Sequence, residues 1–159
     1  MTVIISGIRE LRTALSAMAK RQDAASRVAI GKAGAFLERE IRTVLSLTSS
    51  SGPERRDAKG RFARRGSTSS PPGSPPFLRS GDLRRSVRSD TPTSLGMGRW
   101  TTQVGPTVVY GRIQELGGQT GRNHAVTLPP RPYVQPTLER CLPAIRKIHR
   151  DAWAAAMRG

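Results

Sequence analysis

The sequence predicts an α+β fold: helices at both ends, a small and mostly antiparallel sheet between them, and a long basic insertion on one side. Three observations predict it. Apolar residues recur at helical spacing near both ends of the chain. Short β-branched runs broken by Gly, Pro and Asp fill residues 86–128. Between residues 48 and 80 the composition turns to Ser, Gly, Pro and Arg, and a structureless stretch of that length is rare inside a compact domain.

Val3, Ile4 and Ile5 read as a short strand ended by Ser6 and Gly7. From Ile8 the period changes: Ile8, Leu11, Leu15 and Met18 fall on one helix face. Asp23 is placed to cap a second helix over residues 23–46, with a stripe of Ile30, Ala33, Leu37, Ile41, Val44 and Leu45. Small residues along that helix (Ala29, Gly31, Ala33, Gly34, Ala35) allow another backbone to come close, which would compensate the cost of helical glycine.

Residues 48–80 read as an arm or a functional loop, rich in cations at Arg55, Arg56, Lys59, Arg61, Arg64 and Arg65. The "PPGSPP" segment, residues 71–76, predicts stiff polyproline-like chain. In "SGDLRRSV", Ser80 or Asp82 is set to cap a short turn, and Leu83 and Val87 are set for burial. Strands are expected over residues 86–90, 98–105, 107–110 and 125–128, with 91–96 as a turn. Residues 112–116 predict one helical turn, stopped by Gly117 and Gly118. A last helix follows the prolines with a stripe of Leu138, Leu142, Ile145, Ile148, Ala152 and Ala155. Pro143 either kinks that helix or stands in its first turn.

A length of 159 residues suggests a single domain over 1–159, with 48–80 as its arm. Apolar residues make up 36% and aromatics 4%, so the core is thin, aliphatic and short of burial that assembly would supply. The net charge of +16 either draws the chain to polyanions (nucleic acid, an acidic protein face or a membrane surface) or is a solvated basic surface that keeps it soluble. Arg greatly outnumbers Lys, and guanidinium forks suit paired contacts with phosphate and carboxylate. Cys141 stands alone, which excludes an intrachain disulfide framework. The apolar start is too short for a signal peptide or a membrane span, so no membrane partner is expected.

Four stretches carry a resemblance in order: "VIISGIRELRTALSAM", "SPPGSPPFLRSGDLRRSV", "VGPTVVYGRIQELGG" and "LPPRPYVQPTLE". Together they are similar to the head–tail joining, or tail-completion, proteins of long-tailed bacteriophages. The matched features are a short strand, a Gly and an amphipathic helix; a Ser-Gly-x-Leu-x-x-Ser segment; a Tyr, a Glu and a Gly pair; and a Pro-x-Arg-Pro-aromatic motif before the final helix. Residues 48–69 lie outside the likeness, and the arm is longer and more basic than the family pattern. The resemblance implies a non-enzymatic virion component, assembled in the host cytoplasm as a subunit of a ring in the neck. Its partners would be further copies and adjacent neck and tail proteins, with contact to genomic DNA open. Tail-terminator and head-closure roles belong to the same neck. A stand-alone nucleic-acid-binding protein of ribosomal or chromatin type is the alternative from another class; charge favours it, and the scarcity of aromatics and of reader motifs counts against it.

The residues give catalysis little support. His124 lies in a polar loop and His149 on the last helix among basic residues, and neither sits in a known motif. Two His and one Cys without ligand spacing do not make a zinc site, and no cofactor or small-molecule substrate is expected. "GGQTGRN" lacks the Lys-Ser/Thr end of a phosphate loop. The candidate subunit-interface residues are Glu115, Arg131, Tyr133 and Tyr110. Glu115, a lone carboxylate amid Arg, is either a solvated surface group or one that seeks a cation. Arg112, Arg122, Arg131 or a neighbouring subunit would supply it. On the second reading, Glu115→Ala folds normally and weakens assembly. Pro129, Pro130, Pro132 and Pro136 hold Arg131 and Tyr133 at a set angle, either as interface anchors or as a stiff connector with Tyr133 in the core. The basic arm docks onto acidic neighbouring proteins or onto DNA.

Overall fold

The computed structural model describes residues 7–48 and 70–158. It is a mixed helix-and-sheet fold with a long N-terminal helix, small two-stranded sheets and a C-terminal helix. The expected strand at Val3, Ile4 and Ile5 and the cations from Arg55 to Arg65 lie outside the described residues.

Helix α1 runs unbroken over Ile8–Leu47. The expected boundary at Asp23 is absent, for a reason local sequence does not carry. Asp23 does not turn back to cap a backbone amide; its Oδ1 accepts the indole N–H of Trp100 at 2.8 Å. An Asp inside a helix costs only about 0.7 kcal/mol relative to Ala, which one such tertiary bond offsets. The buried side chains of α1 are Ser26, Ala29, Ala33, Leu37, Ile41 and Leu45. Their spacing of three and then four residues draws a single stripe.

Contacts divide the chain into two compact units. The described residues of the first are 7–36, 89–103 and 142–158. Here α1 meets a hairpin of β2 (Thr93–Gly96) and β3 (Arg99–Thr101), which pair antiparallel. The small residues of α1 serve as expected: a Cβ at Gly31 would lie 3.3 Å from Pro92 Cγ, and one at Gly34 would lie 3.2 Å from Thr102 Cγ2. Arg27 stacks its guanidinium 5.7 Å from the Trp100 ring centre. Trp153 of α4 (Gln135–Arg158) donates its indole N–H to Ser26 Oγ at 2.9 Å.

The described residues of the second unit are 37–48, 70–88 and 104–141. Its buried apolar residues are Leu37, Ile41, Leu45, Val87, Tyr133 and Cys141. The short helix α2 (Asp82–Ser86) leads into β1 (Val87–Ser89), which is hydrogen-bonded to β4 (Val104–Pro106). Helix α3 (Gly111–Leu116) follows, and then β5 (Gly118–Thr120) pairs antiparallel with β6 (Val126–Leu128) around a 3-10 turn at Arg122–His124.

Several local expectations change. Residues 93–96, expected as a turn, form β2, and the reversal sits one step later, where Gly96, Met97 and Gly98 all take positive φ. The strand expected over 98–105 is split into β3 and β4. Residues 107–110 turn instead of extending: Thr107 gives its N–H to Ser86 O, and Gly111 closes the turn onto Val108 O. Residues 70–80, expected as part of a free arm, are tied down. Ser70 and Pro76 are buried, Gly73 N–H donates to Pro130 O, and Leu78 N–H donates to Thr48 O. "PPGSPP" folds back on itself, with Ser74 N–H donating to Pro71 O, so it is not one extended rod. Pro143 lies inside α4, which begins eight residues earlier at Gln135.

Candidate functional site

The site grows from the proline run. Pro129, Pro130 and Pro132 supply no N–H, so the segment cannot be a central strand. It is fixed from two sides instead. Arg131 N–H donates to Gln114 O on α3 at 2.8 Å, and Pro130 O accepts from Gly73 N–H at 2.9 Å. This delivers residues 133–135 to the start of α4 as three consecutive amides with no helical partner.

Glu115 satisfies all three. Its Oε2 accepts from Tyr133 N–H at 2.7 Å and Val134 N–H at 2.9 Å, and its Oε1 accepts from Gln135 N–H at 2.9 Å. Pro136 then removes the next donor, and Leu138 N–H reaches Val134 O to begin the regular ladder. The lone carboxylate therefore caps a helix from another element, at the end where the backbone dipole carries partial positive charge. The expectation that Glu115 takes an Arg gives way: among the described residues its ion-pair partners are none, and its oxygens are committed within the chain. Substituting it is expected to cost stability, not assembly alone.

The Gly pair earlier read as a helix stop has a stricter role. Gly117 ends α3 with φ 71° and ψ −177°, a region that essentially only Gly occupies. A Cβ there would lie 2.8 Å from both Leu128 O and Pro130 N. That absence of a side chain is what lets the proline run lie against α3 and brings Glu115 to the α4 amides.

Tyr133 and Arg131 are internal groups. Tyr133 is 1% exposed and donates its hydroxyl to Gly111 O at 3.2 Å. Burial, and then the Glu115 charge nearby, push its phenol well above the usual 10.0. Of the two readings left open, the ring belongs to the core. Arg131 is 7% exposed, with Nε–H donated to Ser70 O at 3.0 Å. Both side chains are buried within the chain. Tyr110 is exposed, at 44%. The cap of α4, the Ser70–Arg131 bond and the Gly111–Tyr133 bond all span long sequence separations. The only sequence signal for them was an unexplained carboxylate and a Pro at the first helical turn.

Among the described residues no cluster of His, Cys, Asp and Glu is set to hold a metal, and no helix is long and apolar enough to cross a membrane. Comparisons with protein-family models, curated proteins and solved structures find no match.

Proposed function

We propose that the chain is a structural subunit of the head–tail neck of a long-tailed bacteriophage, completing or joining the tail as part of an oligomeric ring. The observation that supports assembly is the uncovered face of α1. Ile8, Leu11, Leu15 and Met18 share one side of the helix and are exposed by 61%, 60%, 56% and 36%. At about 1.5 Å per residue they form an aliphatic row roughly 15 Å long. A contiguous apolar row of this kind marks a surface that another chain covers. The four ordered motifs supply the kind of assembly. The same face would suit a tail terminator or a head-closure protein, and the proposed site of action is the virion.

The measurement is particle mass by light scattering and negative-stain microscopy, on the chain alone and with the proteins encoded beside it. The wild type is expected to give a defined ring or complex. Leu11→Glu/Leu15→Glu is expected to keep its helical circular dichroism and lose the complex. A wild-type chain that stays monomeric with every neck component would end the proposal. The charge of +16 favours a second reading, binding to nucleic acid. On that reading affinity for duplex DNA falls by about 0.9 log unit per log unit of salt for each phosphate contacted, and deletion of residues 50–69 flattens the slope.

A further inference from the structure

Beside the proline run, within the second unit, lies a cavity of about 320 Å³. Leu45, Phe77, Leu78 and Leu128 give it apolar walls, and Ser70 and Arg131 line it as well. Both polar residues are more than nine-tenths buried, and both have unused capacity. Arg131 spends only Nε–H, on Ser70 O; no described residue accepts from its two terminal nitrogens. Ser70 Oγ is buried and has no hydrogen-bond partner.

Arg131 brings a guanidinium to this site, whose planar fork matches a carboxylate bidentately. Its terminal nitrogens keep free donors that favour an anionic acceptor. Among the described acids of the same unit Asp82 lines the cavity, and all of them already have partners. Glu38 pairs with Arg42, and Glu40 faces Arg39 and Arg140. Asp82 is held by Ser80 and Arg85, Glu115 caps α4, and Glu139 accepts from Gln135.

We propose that this cavity receives a carboxylate carried beside an apolar side chain, as an acidic segment of a partner protein presents it. The carboxylate oxygens accept from the terminal nitrogens of Arg131 in a forked pair, and the Ser70 hydroxyl donates a third bond. The neighbouring apolar side chain packs on Leu45, Leu78 and Leu128. Arg79, Arg84 and Asp82 line the cavity too, and its leucine and phenylalanine walls suit a carboxylate carried next to an apolar side chain better than a free phosphate. The assignment stands apart from the neck reading, since it needs only a partner with that chemistry.

Nuclear magnetic resonance titration of the full chain tests it, with N-acetyl-Leu-Glu-amide, N-acetyl-Leu-Gln-amide and inorganic phosphate as probes. The Glu peptide is expected to shift the Arg131 Nε–H and the Ser70 and Leu128 amides, and to bind about tenfold or more tighter than the Gln peptide. Arg131→Gln is expected to abolish that preference, though it also removes the Nε bond to Ser70 and so bears on folding. Ser70→Ala deletes a hydroxyl that the fold does not use; it is expected to leave the spectrum folded and weaken the Glu peptide about fivefold. Equal binding of the two peptides would overturn the assignment. So would phosphate binding as tightly at the same resonances, or unchanged Glu-peptide affinity in Ser70→Ala. Binding that arises only in Glu54→Gln/Asp57→Asn would also overturn it, because the chain's own acids would then be the occupant.

Discussion

Replacing Glu115 with Ala isolates the cap of α4. The substitution removes the acceptor for three amides at once. Loss of an N-cap acceptor typically costs about 0.5–2 kcal/mol. Loss of a negative charge at a partly buried helix N-terminus adds up to about 2 kcal/mol. Two of the three bonds, those to Tyr133 and Val134, are partly buried, so water replaces them poorly. We expect about 3 kcal/mol in total, a large share of the ~5–15 kcal/mol that holds a domain together. Glu115→Gln keeps one acceptor oxygen and turns an amide donor toward the backbone donors, for a cost of about 1.5 kcal/mol. In urea, with a slope of about 1.5 kcal/mol/M, the Ala variant should lower the midpoint by roughly 2 M at unchanged slope. A solvated surface acid or an exposed ion pair predicts no more than about 1 kcal/mol, weakening further with salt. An Ala variant within about 0.5 kcal/mol of wild type would refute the capping account.

Two further predictions probe the same region. Gly117→Ala combines a backbone conformation closed to other residues with overlap onto Leu128 O and Pro130 N, and should cost about 3 kcal/mol or more in the same unfolding assay. Tyr133→Phe tests the buried phenol. Because folding raises its pKa, the native state holds that proton more tightly than the unfolded chain does. The stability it contributes is complete below the unfolded value near 10.0 and falls as pH rises beyond it, so wild-type stability should drop above pH 10 while the Phe variant, weaker by about 1 kcal/mol at pH 7, should show a shallower drop. Parallel alkaline profiles for the two proteins would remove Tyr133 from that titration.

Much of the architecture was legible where it depends on local pattern. The stripe through Ala33, Leu37, Ile41 and Leu45, the short helix before Gly117, the strand ending at Leu128 and the amphipathic last helix all follow from periodicity and from Gly and Pro placement. The errors lie where a distant partner decides a local choice. Asp23 before an apolar run has the form of a cap, and a tryptophan 77 positions away makes it a mid-helix acceptor. Residues 70–80 have an arm's composition, and backbone bonds to Pro130 and Thr48 hold them down. Glu115 was expected either to stay solvated or to take a cation, and it accepts from three backbone amides instead. The partner is a row of peptide dipoles, which no side-chain inventory contains.

The borrowed cap on α4 also bears on the order in which the protein acquires its structure. A helix that carries its own capping residue can begin as soon as its first turn is made. This one takes its acceptor from 18 residues upstream, so its opening turn stays incomplete until the glycine-stopped segment has already closed against the prolines. Helix α4 thus waits on a long-range closure. Damage at Gly117 should surface as slow or faulty maturation of the far end of the chain.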